Sequence, residues 1–230
     1  MIFTVLPARM HLPRRALAAL PLLVLLALPA AAHVLNTDLS KLSRTEIFGT
    51  YLQLGFTHII PLGFDHMLFI ISLYILEPRL KPVLMQATAF TVAHSITLGL
   101  AMYGLISPPS AVIEPIIALS ILFVAIENII TDKLNPWRVA IVFGFGLVHG
   151  MGFASALTGL GLPQKDYFGS LISFNVGVEL GQVTVILLCW ALVGRWAADK
   201  VWYKRRVVIP VSVAIGLVAA YWTVQRVFFA

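Results

Sequence analysis

Long apolar runs follow one another along the chain, broken by short polar pieces such as residues 77–82 and 131–136. A bilayer core about 30 Å thick needs roughly 20 apolar residues per helix. The runs therefore predict spans over about 55–76, 83–105, 111–130, 137–158, 168–194 and 207–228. An earlier apolar run, residues 17–28, is shorter. It follows Arg9, Arg14 and Arg15 and precedes Ala30, Ala31 and Ala32, the layout of a secretory signal with an A-x-A cleavage site. The expected organisation is thus a signal peptide over 1–32 and a single transmembrane helical domain over 33–230. The expected fold class is all-α, a polytopic membrane bundle of about six helices. Cleavage would leave His33 at the mature N-terminus, where a free amine beside an imidazole can chelate.

Composition agrees: 60% of residues are hydrophobic and 11% charged, against about 45–50% and 25% in soluble domains. The net charge of +6 does not indicate a nucleic-acid partner, because Lys and Arg sit in connectors and not on one helical face. Of the 16 Lys and Arg, twelve lie in the signal segment or in three alternate connectors, among them Arg79, Lys133, Arg138 and Arg206; Lys41, Arg44, Lys165 and Arg226 lie on the other side. Basic residues mark the cytoplasmic face. The expected localisation is a bacterial inner membrane, multi-pass, with the mature N-terminus periplasmic. The single cysteine, Cys189, lies in an apolar run and reads as helix packing, since one thiol makes neither an internal disulfide nor a thiolate metal site.

Against this background the buried polar residues stand out. An ionisable side chain at membrane depth costs at least about 2.5–3.5 kcal/mol on insertion scales and is a functional candidate by default. The first span carries His58, Pro61, Asp65 and His66. Helical periodicity turns His58 and Asp65 the same way, and Pro61 breaks or starts the helix, so His58 is expected on an entering segment folded over Asp65 and His66. An Asp beside a His supplies two ligands, or one ligand and the group that orients it; a self-satisfied buried pair is the plain alternative. His94 and His149 are weak signals taken singly, because a lone intramembrane histidine is as readily an interhelical hydrogen bond. Asn175, Glu179 and Gln182 line one stripe of the fifth span. Glu114 opens the third span, as a helix cap or a mouth residue, and Glu127 and Asn128 close it. His58, Asp65, His66, His94, His149 and Glu179 fall at similar depth on different spans, which favours one shared metal site. Glu114, Asn175, Gln182, Glu127 and Asn128 extend it as a transport pathway.

Neutral imidazoles with carboxylates suit a divalent transition metal: nickel, cobalt, zinc, copper or iron. Calcium and magnesium want more oxygen donors. The lipid bilayer and the metal ion are the partners so implied. Three uses of such a site remain open at this point. They are transport, an intramembrane metal-dependent hydrolase with Ser95 or Ser155 nearby, and a non-transporting assembly role.

The motifs Gly63-Phe64-Asp65-His66, Thr91-Val92-Ala93-His94-Ser95, Ile126-Glu127-Asn128, Val148-His149-Gly150-Met151-Gly152 and Asn175-Val176-Gly177-Val178-Glu179-Leu180-Gly181-Gln182 occur in an order similar to the HupE/UreJ family. The chain resembles most that family's second branch, from about residue 55 to 192. The resemblance implies a nickel or cobalt permease, tied to a hydrogenase or urease maturation system. Better-known members carry His-Pro-x-x-Gly-x-Asp-His in the first span. Here Gly63, Asp65 and His66 match, while His58 and Pro61 are displaced.

Overall fold

The computed structural model describes residues 43–159 and 166–229, with the side chains of 155–159 left aside. The expected signal peptide over 1–32, His33, and the Ser155 side chain lie outside the described residues. Seven principal helices form the described part: α1 (Arg44–Ile59), α2 (Phe64–Leu76), α3 (Leu80–Met102), α4 (Ser110–Ile130), α5 (Arg138–Gly159), α6 (Tyr167–Cys189) and α7 (Ile209–Phe228). The protein is an all-α membrane bundle. α6 runs on through a π-helical turn to Ala197, and α7 is entered through a similar turn at Lys204–Val208. Among the described residues, four helices are long and apolar enough to cross a bilayer, α3, α4, α6 and α7 with their extensions. α1 and α2 together make a fifth, broken span bent by 66°.

The first predicted span, 55–76, is broken near Pro61 as its sequence predicts, and its start differs. It starts earlier, at Arg44, because a Ser43–Glu46 capping box satisfies the first-turn amides, and it breaks at residues 60–63. Pro61 supplies no amide hydrogen there, and Gly63 lies so close to the His58 carbonyl oxygen that a Cβ would overlap it. The predicted span over 137–158 is α5, a helix of 22 residues over Arg138–Gly159.

The helices pair: α3 along α5, α1 along α6, α4 along α7. α2 lies between α4 and α6 with Phe69, Ile70, Leu73, Tyr74 and Ile75 all buried, as a helix apolar on every side must be. Hydrocarbon offers no hydrophobic push between helices, so close backbone approach carries the packing. Gly55 and Gly177 provide it for α1 and α6. A Cβ on Gly55 would overlap the Phe174 carbonyl, and one on Gly177 the Leu52 carbonyl. Gly177→Val is expected to cost about 1–3 kcal/mol by overpacking, read as a lower melting temperature in detergent; an unchanged transition would contradict this contact.

The two ends of the bundle differ. At one, Tyr203 donates to the Ile75 carbonyl (3.0 Å) and Lys204 pairs with Asp132 (3.0 Å). Arg195 stacks on Trp190 and Trp196, and Arg206 on Trp202, a basic and aromatic rim of the kind found at bilayer interfaces. At the other, Arg44 pairs with Asp166 (3.3 Å) and Arg226 reaches Asp65 (2.9 Å).

Candidate metal centre

The break between α1 and α2 sets the centre. α1 delivers His58 in its last turn and α2 presents His66 in its first. A continuous helix would hold those residues more than two turns apart. The break instead lays the rings together, with centroids 4.6 Å apart. α3 contributes His94, 6.0 Å from each of them. One nitrogen from each of His58, His66 and His94 lies within 4.8 Å of the others. Ligation at about 2.0–2.1 Å from each nitrogen puts tetrahedral ligand nitrogens about 3.4 Å apart, so modest ring rotations close the trio. His149 of α5 adds a fourth imidazole, 5.0 Å from His66.

The donor atoms fit such an ion. Nε2 of His58, His66 and His94 and Nδ1 of His149 are buried and make no hydrogen bond to the described residues. For two rings a neighbour sets the tautomer. Asn175 donates its amide to the Leu171 carbonyl (2.8 Å), which leaves Oδ1 facing Nδ1 of His94 at 3.4 Å. Nδ1 therefore carries the hydrogen and Nε2 keeps its lone pair. Ser120 gives its hydroxyl hydrogen to the Ile117 carbonyl (2.7 Å), so its oxygen accepts from Nε2 of His149 at 3.0 Å, which frees Nδ1. Carbonyl, amide and hydroxyl partners of this kind orient metal-binding imidazoles in general. Phe90, Phe153 and Phe174 pack edge or face against the rings, excluding water from their backs.

A cavity of about 680 Å³ reaches His58, His66 and His149 from the end that carries Arg226, passing Asp65 and Glu114. It is ample for a hydrated ion, since each water occupies about 30 Å³. His94 is fully buried behind it.

The other expected site residues are distributed around this trio. Asp65 is beside His66 in sequence, but its carboxylate accepts both hydrogen bonds of Arg226 Nη2, at 2.9 and 3.1 Å. Glu179 lies on the α3–α6 seam, where its Oε1 accepts from Thr88 at 2.6 Å. Glu114 lines the cavity mouth and sits one turn too far into α4 to cap it. Gln182 is buried, with no hydrogen bond from its amide to the described residues. Glu127 and Asn128 meet Arg138 near the basic end. Ser95 donates back to the Thr91 carbonyl (2.6 Å), as a helical serine commonly does.

Sequence reasoning missed Ser120, Arg226, Arg138, Gln86 and Thr88. Ser120, a lone hydroxyl in an apolar run, carries no signal of its own. Arg226 and Arg138 were legible only as topology charges, although Arg138 is 1% exposed, a burial no connector arginine has without partners.

A sequence model of the family described as HupE / UreJ protein matches residues 35–226. No curated protein and no solved structure matches the chain.

Proposed function

The chain belongs to the HupE/UreJ family, and from that premise we propose that it moves a divalent transition-metal ion across the bilayer by way of His58, His66 and His94. The observation that carries this reading is the convergence of three imidazoles, each with a buried nitrogen that has no hydrogen-bond partner among the described residues, at a mid-span helix break, at the foot of a cavity open to one end. Broken helices at membrane depth are tolerated where they line a cavity or lie within protein, and in transporters they form the substrate site.

The ion is cargo. It enters the cavity with part of its water and passes the carboxylates of Asp65 and Glu114. It then exchanges waters for imidazole nitrogens, which bind it as neutral rings. Asn175 and Ser120 hold two of those rings in the tautomer that offers a lone pair. The donor set suits nickel, cobalt, zinc or copper, and the family resemblance favours nickel or cobalt, delivered to a hydrogenase or urease maturation system. Basic residues mark the cytoplasmic side, so the cavity faces the periplasm of a bacterial inner membrane and the mature N-terminus lies with it. Glu179, Gln182, Glu127 and Asn128 continue the polar route inward.

Proteoliposomes containing the full chain are expected to accumulate radioactive nickel or cobalt, with His66→Ala at background. Wild-type protein that binds the metal but never accumulates it would overturn transport and leave a hydrolase or an assembly role.

A further inference from the structure

Below the histidines, near the basic end, lies the most deeply buried cation among the described residues. Arg138 opens α5 and is 1% exposed. Its Nε donates to Gln86 Oε1 on α3 at 3.1 Å, its Nη2 donates to Asn128 Oδ1 on α4 at 3.1 Å, and its Nη1 pairs with Glu127 Oε2 at 3.0 Å. Three oxygens from two helices thus converge on one guanidinium. The two amides are not free to turn away. Asn128 Nδ2 is anchored on the Ser72 carbonyl at 2.7 Å, and Gln86 Nε2 on the Pro82 carbonyl at 3.1 Å, so both amide oxygens are fixed toward the same point. His149 stands eleven positions further along α5, about 16 Å away at 1.5 Å per residue.

We propose that Gln86, Glu127 and Asn128 form a second, oxygen-lined cation site on the inner part of the route, and that the Arg138 guanidinium is a tethered cation that occupies it until the cargo arrives. The reading rests on the transport function proposed above. Its physical content is a competition. One carboxylate and two amide oxygens are the donors a hard dication takes, and all three are committed to Arg138, which seals the inner end while the cavity is open at the other. An ion leaving the histidines gains those oxygens only as the guanidinium withdraws. The arginine therefore keeps a partly buried carboxylate neutralised when no metal is present, which an empty carboxylate site in hydrocarbon could not do. A purely structural anchor would need the same ion pair, but it would not need both amides aimed at the cation by separate backbone carbonyls.

The test uses the full chain and two probes. Manganese(II) is the first, because oxygen sites take it and imidazole sites hold it weakly among the divalent series. In detergent, Arg138→Ala is expected to bind one more equivalent of manganese than the wild type, and to lose it again when combined with Glu127→Gln. The second probe is nickel, followed as downhill flux from loaded vesicles. Neutralising the plug should raise flux by about tenfold or more, and neutralising the carboxylate ligand should lower it by a similar factor. Arg138→Gln keeps bulk in the site and serves for flux if the alanine variant does not fold. Opposite signs support the site, because both substitutions break the same ion pair and a structural role would move them together. Flux falling in both, or no extra manganese in folded Arg138→Ala, would overturn it. If wild-type vesicles pass no nickel while Arg138→Ala gains manganese, the inner site stands and the transport reading is what fails.

Discussion

His66→Ala is expected to lower the affinity for a transition-metal dication by more than about a hundredfold, because loss of a mere orienting partner already costs 10–100-fold. His66 is placed to matter most. Its ring is 4.6 Å from His58, 6.0 Å from His94 and 5.0 Å from His149, so among the four described imidazoles it is the one whose ring contacts reach the other three. A hundredfold corresponds to about 2.7 kcal/mol, well outside the error of isothermal titration. The fold should survive, since removing the ring leaves a gap at the foot of an existing cavity and strips no partner from a neighbouring buried group. Binding should also weaken as the pH falls, because protons compete with the metal for imidazole lone pairs. Titration with nickel giving the same affinity for His66→Ala as for the wild type, in protein with an unchanged melting profile, would remove the trio as the binding site.

The second largest effect is expected from a residue that touches no metal. Asn175→Leu removes the oxygen that faces His94 Nδ1 at 3.4 Å while keeping the side chain's size. His94 is then free to place its hydrogen on Nε2, the atom the metal needs bare. A loss of 10–100-fold in affinity follows, smaller than for His66→Ala and reached without changing the number of bound ions. Ser120→Ala makes the parallel test on His149, whose Nε2 is held at 3.0 Å by the serine oxygen. An effect of similar size there would place His149 among the ligands, and no effect would confine the site to His58, His66 and His94. Full affinity in Asn175→Leu would mean that His94 contributes no lone pair, and the centre would have to be redrawn without it.

Both predictions turn on contacts between residues far apart in sequence. Asn175 and His94 are 81 positions apart, and Asp65 and Arg226 161. The same holds for the carboxylates. Asp65 was expected as a ligand from its place beside His66, and the tertiary structure gives its oxygens to Arg226. Glu179 shares a helix stripe with Asn175, yet one turn along α6 takes it from the histidine to Thr88. His58 is the opposite case. Its spacing from Asp65 fits no continuous helix that would bring it to His66, and the break at residues 60–63 brings it there.

By itself the sequence determined an α-helical membrane protein, because apolar run length is set against the fixed thickness of a bilayer and needs no knowledge of neighbours. It also determined which residues are costly at that depth, and so which histidines and carboxylates must face protein or water. The tertiary structure alone decided which of them meet. Periodicity says which face of a helix a side chain occupies, never which helix lies opposite. That choice falls to close backbone approach, as at Gly55 and Gly177, and to hydrogen bonds between helices. The break of the first span was legible at Pro61, whereas the tautomers of His94 and His149 and the arginines on Asp65 and Glu127 arise only at the tertiary level.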